Sequence, residues 1–357
     1  MKKLFLFLFL IILPCNLLAE DDSTIKIGGA FALTGIGAPF GTGELNGLKL
    51  AIEDAPKIEA LKNKTIKLII EDTKSSNLGT VNAVKKLVEI EKIDYLIGPT
   101  WVDTFGGALP ILDKARILTI TPSAVPEFYK KSTEDFKLVF STWYNNIKEV
   151  EALLKFVSQD GNKQVALIFD QDPYFQANAD LMQKISSRIG IKIVKRIDLA
   201  IGDKNFGAPF LKLKQLKVDA IIFGLLDDAA VNSFMKRRVE LLSEHKFYGF
   251  HDIDGYVAQE MFANLLGGIN YIRPLAPEKK FSERYNKVNG AFPIISASNS
   301  YDAGKILLTA IANGATASSE IAEYLAKNSF ETVTFGETRF NTYGAVTGGE
   351  FELVRIK

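Results

Sequence analysis

One cysteine and two histidines are all that the 357 residues contain, at Cys15, His245 and His251. Cys15 falls inside an N-terminal apolar segment, so the chain beyond it has no thiol. That excludes disulfides, thiolate metal sites and a cysteine nucleophile there. His251-Asp252-x-Asp254 offers three donors on one loop, too few for a metal centre without partners elsewhere. Basic residues form no run longer than the three at Lys236-Arg237-Arg238 and the formal net charge is +1, which gives nucleic acid and anionic membrane surfaces little to hold. The G-x-G-x-x-G fingerprint is missing too. Gly35, Gly37 and Gly41, and again Gly41, Gly43 and Gly47, follow G-x-G-x-x-x-G, the wrong spacing for a dinucleotide loop.

What is present begins with the leader. Lys2 and Lys3 precede an apolar run, Leu4 to Leu13, then Pro14 and Leu17-Leu18-Ala19. This pattern predicts a secretory signal peptide over residues 1–19 and a mature chain from about Glu20. The apolar run is short for a membrane span. An uncleaved anchor and lipid attachment at Cys15 are the alternatives, and Pro14 disfavours the second. The leader lacks a twin arginine, and no second apolar run reaches spanning length.

The remaining length suffices for two domains, each with its own core. A strand pattern at Ile25–Phe31 runs into the Gly-rich stretch Ala32–Gly47, and Leu45, Leu48, Ala51, Ile52 and Ala55 then recur at helical spacing. Strand, loop and helix in that order fit a nucleotide loop or one wall of a small-molecule cleft, with the helix opening at Gly41. Further strands are expected at Thr65–Glu71, Tyr95–Gly98 and Ile117–Thr121, with helices at Leu78–Ile90 and Phe105–Ala115. After Pro122–Asp135 and a short extended piece at Leu138–Ser141 the rhythm restarts. Strands are expected at Gln164–Asp170, Lys192–Leu199, Ala220–Gly224 and Lys246–Phe250, separated by helices. Alternation of this kind predicts parallel sheets covered on both faces. Late helices at Glu278–Asn289, Ser300–Ala312 and Ser319–Lys327 suggest a return to the first lobe.

The ordered motifs resemble the type I periplasmic binding proteins of ABC importers, in the branched-chain amino-acid (Leu/Ile/Val) binding group. The resemblance is carried by Leu33-Thr34-Gly35 through Phe40-Gly41 and Asn46-Gly47, Glu71-Asp72, Ile97-Gly98-Pro99 and Ile120-Thr121-Pro122-Ser123-Ala124. Asp170 with Tyr174, Phe281 with Tyr285, Tyr301-Asp302-Ala303 and Phe335-Gly336 to Phe340 extend it over nearly all of the chain after the leader. It implies an α/β fold of two Rossmann-like lobes joined by a three-crossing hinge. Lobe 1 would comprise residues 20–142 plus 273–335, and lobe 2 residues 143–272 plus 336–357. It also implies a periplasmic monomer that carries a small-molecule ligand to an ABC permease in the inner membrane, with no cofactor and no nucleic acid.

The same resemblance assigns the ligand site. Phe40 would pack beside the ligand, and backbone groups with hydroxyls after the third and fourth strands would hold a carboxylate. Those two hydroxyl positions fall here on Val102 and Val125, leaving Thr100, Ser123 and Thr104 as substitutes, with Ala124 among the ligand-binding candidates beside them. Trp101 adds a ring beside them. From the second lobe come Tyr174, Leu226 and His251, the last at the position of an ammonium partner, which a one-residue slip would move to Asp252. Such a wall is more apolar than a zwitterion needs. It favours an aromatic or short-chain carboxylate or an amide, with an amino acid still open. Hinge points are expected near Thr142, Tyr271–Arg273 and Phe335–Phe340.

Two other functions compete. A periplasmic sensor would present the same closing cleft to a membrane receptor. An exported enzyme would need a nucleophile, base and acid together, and His245 in Ser243-Glu244-His245-Lys246 belongs to a charged turn. The expectation is a binding protein and not an enzyme.

Overall fold

β1 (Thr24–Phe31) and β2 (Thr65–Asp72) pair in parallel over their full length, from Thr24 opposite Thr65 to Phe31 opposite Asp72. They open a sheet that the computed structural model, which describes residues 24–101, 104–125, 128–257 and 259–357, shows in full. β3 (Tyr95–Ile97), β4 (Leu118–Thr121) and β5 (Val139–Tyr144) continue it on the other side of β1. Its order is β13-β5-β4-β3-β1-β2, closed by the two-residue strand β13 (Ala345–Val346). A second sheet holds β6 (Gln164–Asp170), β7 (Lys192–Leu199), β8 (Ala220–Gly224), β9 (Lys246–Gly249), β10 (Ile269–Pro274) and β14 (Phe351–Arg355). Its order is β14-β10-β9-β8-β6-β7, parallel except for β14 against β10. Each sheet therefore reverses its strand order once, between β1 and β3 and between β6 and β8. Open α/β sheets bind ligands beyond such reversals.

Helices cover both sheets: α1 (Ala38–Asp54), α2 (Asn77–Glu89) and α3 (Leu109–Ala115), then α4 (Asn146–Gln159), α5 (Pro173–Ile185), α6 (Gly207–Lys214), α7 (Asp228–Leu241) and the short α8 (Ile253–Val257). α9 (Lys279–Asn289), α10 (Ile295–Ala312) and α11 (Ser318–Lys327) follow β10. Ile306, Leu307 and Ile311 of α10 pack with Ile27, Phe31 and Leu48 in the core of the first sheet, so the late helices do return there. A small hairpin, β11 (Phe330–Thr332) with β12 (Gly336–Thr338), leads to β13. Among the described residues no helix is long and apolar enough to cross a membrane.

Three expectations shift. α1 opens at Ala38 rather than Gly41, because Pro39 in its first turn is pre-set for helical φ and has no N–H to leave unpaired. α10 opens at Ile295, five residues before Ser300. Ser296, Ser298 and Asn299, polar residues outside the expected helix, are buried within it. The chain passes between sheets after Tyr144, after Pro274 and between Val346 and Phe351. The last passage comes later than an expected boundary at 335/336, because β13 adds to β5 before the chain leaves the first sheet. The expected signal peptide, residues 1–19, lies outside the described residues.

α1 and α10 cross with their backbones almost touching. A Cβ on Gly47 would lie 1.9 Å from the Ala297 carbonyl oxygen, so no larger residue fits without moving a helix.

Candidate functional site

The loop after β1 is tied down by the end of β2. Asp72 Oδ1 accepts the N–H groups of Leu33 at 2.9 Å and Thr34 at 3.2 Å, and Oδ2 accepts the Thr34 hydroxyl at 2.6 Å. These bonds outweigh partial burial and hold the Asp72 carboxyl below its usual range. Ser75 Oγ accepts from Gly37 N at 3.0 Å and donates to the Thr34 carbonyl at 2.6 Å. The acid that would bind ribose in a dinucleotide fold is thus committed to shaping its own loop. That removes the nucleotide-loop reading.

Trp101 follows β3 with φ of 66°, in the left-handed region, which costs a bulky residue roughly 1–2 kcal/mol. Its N–H donates to Ser123 Oγ at 3.1 Å, which helps hold that conformation. The ring meets Phe40 of α1 edge-on, centroids 5.4 Å apart, and lies so close to the β1 loop that a Cβ on Gly37 would approach it to 3.2 Å. Both rings are half-buried. Beneath them Glu44 of α1 is fully buried. It accepts from the hydroxyl of Ser123 at 2.5 Å and from that of Thr100, which itself accepts from Ala32 N at 3.1 Å. Burial lifts the Glu44 pKa to about 8 against the two hydroxyl bonds. The sequence reading did not include Glu44. Its signal was a lone acid, four residues after Phe40, on the face that buries Leu48 and Ala51.

The second lobe has its own buried acid. Glu149 of α4 accepts from Tyr144 Oη at 2.9 Å through Oε1 and from the Tyr174 hydroxyl through Oε2. His251 Nδ1, in the loop after β9, lies 2.8 Å from Tyr144 Oη and 3.2 Å from Glu149 Oε1. Burial alone would depress the His251 pKa, but the Glu149 bond and charge outweigh it and the net shift is upward. Both tyrosine hydroxyls are pushed well above their ordinary value, by burial first and by Glu149 next. Asp252 beside them is lifted to about 7 by burial, and its buried Oδ1 has no hydrogen-bond partner among the described residues. Trp143 stacks on Tyr144 at 4.6 Å and meets His251 edge-on at 5.2 Å. The sequence reading missed Glu149, Trp143 and Tyr144, since only folding brings them to His251.

The two halves touch. Phe128, in the segment after β4, lies 6.4 Å from Tyr174 of α5, and Tyr144 at the end of the first sheet's β5 packs on Phe351 of the second sheet at 5.1 Å. The structure therefore gathers Phe40, Thr100, Trp101 and Ser123 around one buried acid, and Tyr174, His251 and Asp252 around another. Val125 is 1% exposed and packs with Trp143 and Tyr144 at this junction. Ala124 is buried in the core with Phe105 and Val139, which limits it to backbone contact. Leu226 is half-buried against the second core, its N–H bonded to Asp170 Oδ2 at 2.9 Å. Val102 lies outside the described residues. Surface grooves of about 450 Å³, along α1 and α9, and about 490 Å³, beside the β11–β12 hairpin, include none of Trp101, Ser123, Tyr174 and His251.

Comparison with known proteins agrees with this architecture. A family model described as periplasmic binding protein matches residues 24–357. A Leu/Ile/Val-binding protein, BraC3, of Rhizobium johnstonii is 29% identical over 212 residues, which span 58% of this chain and 55% of that protein. A leucine-, isoleucine-, valine-, threonine- and alanine-binding protein of Pseudomonas aeruginosa is 25% identical over 340 residues, 92% of this chain and 88% of that one. Among solved structures, the branched-chain amino acid transporter substrate-binding protein LivJ of Streptococcus pneumoniae, in complex with isoleucine, superposes with a TM-score of 0.79. It is 25% identical, and the match covers 94% of this chain and 96% of that one.

Proposed function

The chain belongs to the periplasmic binding protein family, and on that premise we propose that it captures a small organic ligand between its two lobes and delivers it to an ABC permease. One observation carries the reading. Each sheet's reversal point bears an aromatic wall over a buried acid, and the segment after β4 reaches Tyr174 of the opposite lobe. First-lobe contacts come from Phe40, Trp101 and Ser123, and closure adds Tyr174, His251 and Asp252. Lobe closure is driven by contacts that exist only in the closed state. The ligand class is an amino acid, an amide, or an aromatic or short-chain carboxylate. The protein works in the periplasm after leader removal, and it binds rather than transforms its ligand.

The test is native mass spectrometry of the protein purified without refolding, followed by a thermal-shift panel of amino acids, aromatic acids and amides. A single bound small molecule, or a concentration-dependent stabilisation that W101A abolishes, supports the reading. Stabilisation that W101A leaves intact removes this cleft as the site.

A further inference from the structure

Glu44 is a buried acid without a cation. Among the described residues its partners are the hydroxyls of Thr100 and Ser123, and no basic side chain pairs with it. A carboxylate in that position costs several kcal/mol and takes up a proton instead. The proton changes what the neighbouring hydroxyls can do. Each has one hydrogen to give and two lone pairs to offer. Against an ionised acid, both hydrogens turn inward to it. A neutral acid has a hydrogen of its own, which must go to one of the two.

Thr100 is 1% exposed and already accepts from Ala32 N, so its hydrogen has no outlet but Glu44. Ser123 is half-buried and accepts from Trp101 N at 3.1 Å. Its second lone pair can take the Glu44 hydrogen across 2.5 Å, which frees its own hydrogen.

We propose that Glu44 acts as a neutral positioning acid that turns Ser123 into a hydrogen-bond donor toward the cleft, so that the first lobe selects a ligand carboxylate beside Phe40 and Trp101. The inference rests on the reading of this cleft as the ligand site. An ionised Glu44 would do the reverse, taking the hydroxyl hydrogens and setting a second negative charge behind them. The wall is therefore a carboxylate receptor only while Glu44 keeps its proton. Charge-assisted bonds of this kind are stronger than neutral ones, which favours a carboxylate over an amide carbonyl.

The experiment is calorimetric titration with benzoate and with L-isoleucine between pH 6.5 and 9.5, on wild type, E44Q, E44L and S123A. Gln offers an N–H to Ser123 and a carbonyl to Thr100, the pattern of the neutral acid. Wild-type affinity should fall about tenfold per pH unit above pH 8. E44L should lose binding, E44Q should restore it and flatten that fall, and S123A should bind about tenfold more weakly at pH 7. Among the described residues, the influences on Glu44 are burial and its two hydroxyl partners, with no charged group among them. His251, Asp252, Glu149 and Tyr174 across the cleft and Asp72 in the β2 loop are the same in E44Q, so the difference isolates Glu44. Infrared spectra of unliganded wild type should show a protonated-carboxyl band at pH 6.5 that E44Q lacks, a readout that does not depend on either probe. Wild type that binds a probe while E44Q does not, or a wild-type profile flat to pH 9.5, overturns this inference alone. Wild type that binds neither probe overturns the carboxylate assignment together with the ligand reading.

Discussion

The hydroxyl of Tyr144 lies 2.8 Å from Nδ1 of His251, so the last residue of a first-sheet strand meets the loop that ends a second-sheet strand. The same hydroxyl donates to Glu149 Oε1 at 2.9 Å. Y144F removes one of the donors that satisfy this buried acid while keeping the ring on Trp143 and Phe351. The expected cost is about 1–3 kcal/mol of stability, read from urea unfolding midpoints. A loss below about 0.5 kcal/mol would mean that water replaces the hydroxyl and that the junction is wet.

Trp101 separates stability from binding. Its φ of 66° suits glycine better than tryptophan, so W101G relieves backbone strain while deleting the ring that meets Phe40. W101G is expected to keep its melting temperature within a few degrees and to lose at least tenfold in affinity for whatever ligand the native protein carries. A W101G protein that binds normally would assign the ring to loop packing.

Glu44 gives stability a pH dependence of known sign. Its pKa is about 8 in the folded chain against an ordinary glutamate value of 4.5. Between those values the unfolded chain has released a proton that the folded chain retains, so stability falls as pH rises from about 4.5 to about 8 and levels above. E44Q removes the ionisable group. It is expected to exceed wild type by about 2 kcal/mol or more at pH 8 and to lose that advantage at pH 4. Chemical denaturation at the two pH values checks it.

His251 has the usual sign for a histidine with an acidic partner. Its folded pKa is raised by Glu149, so its contribution is fully present below the unfolded histidine pKa and is lost as pH rises through the folded one. H251Q should lower stability at pH 6 more than at pH 9. An equal loss at both would show that the ring acts through packing on Trp143 alone.

Gly47 tests the frame that carries the first wall. A Cβ there would overlap the Ala297 carbonyl at 1.9 Å, and neither helix backbone can yield cheaply. G47A is expected to cost about 3 kcal/mol, visible as a lowered thermal midpoint, whereas alanine at an exposed helix position would be neutral or better. A G47A midpoint at or above wild type would mean that the α1–α10 crossing is looser than drawn.

Much of this molecule is written locally in its sequence. Strands Gln164–Asp170, Lys192–Leu199 and Ala220–Gly224 fall where the apolar runs place them, because period and turn residues act within a few positions. The two-lobed α/β class, the loops at the strand ends, and Phe40, Trp101, Tyr174 and His251 as wall candidates all follow from such short-range signals and from family resemblance. Polarity misled at Ser296–Asn299, where small polar side chains fit a crowded helix interface that no local pattern announces.

The chemistry behind the wall candidates exists only in the folded chain. Glu44 meets Thr100 and Ser123 across 56 and 79 positions of chain, and His251 meets Glu149 and Tyr144 across 102 and 107. An acid's partners and its distance from water set its charge, and both are created by folding. Two α/β lobes, with Gly-rich and aromatic loops at their strand ends, were legible along the chain. Whether each wall presents a proton or a charge was decided when the sheets brought those distant residues together, out of reach of solvent.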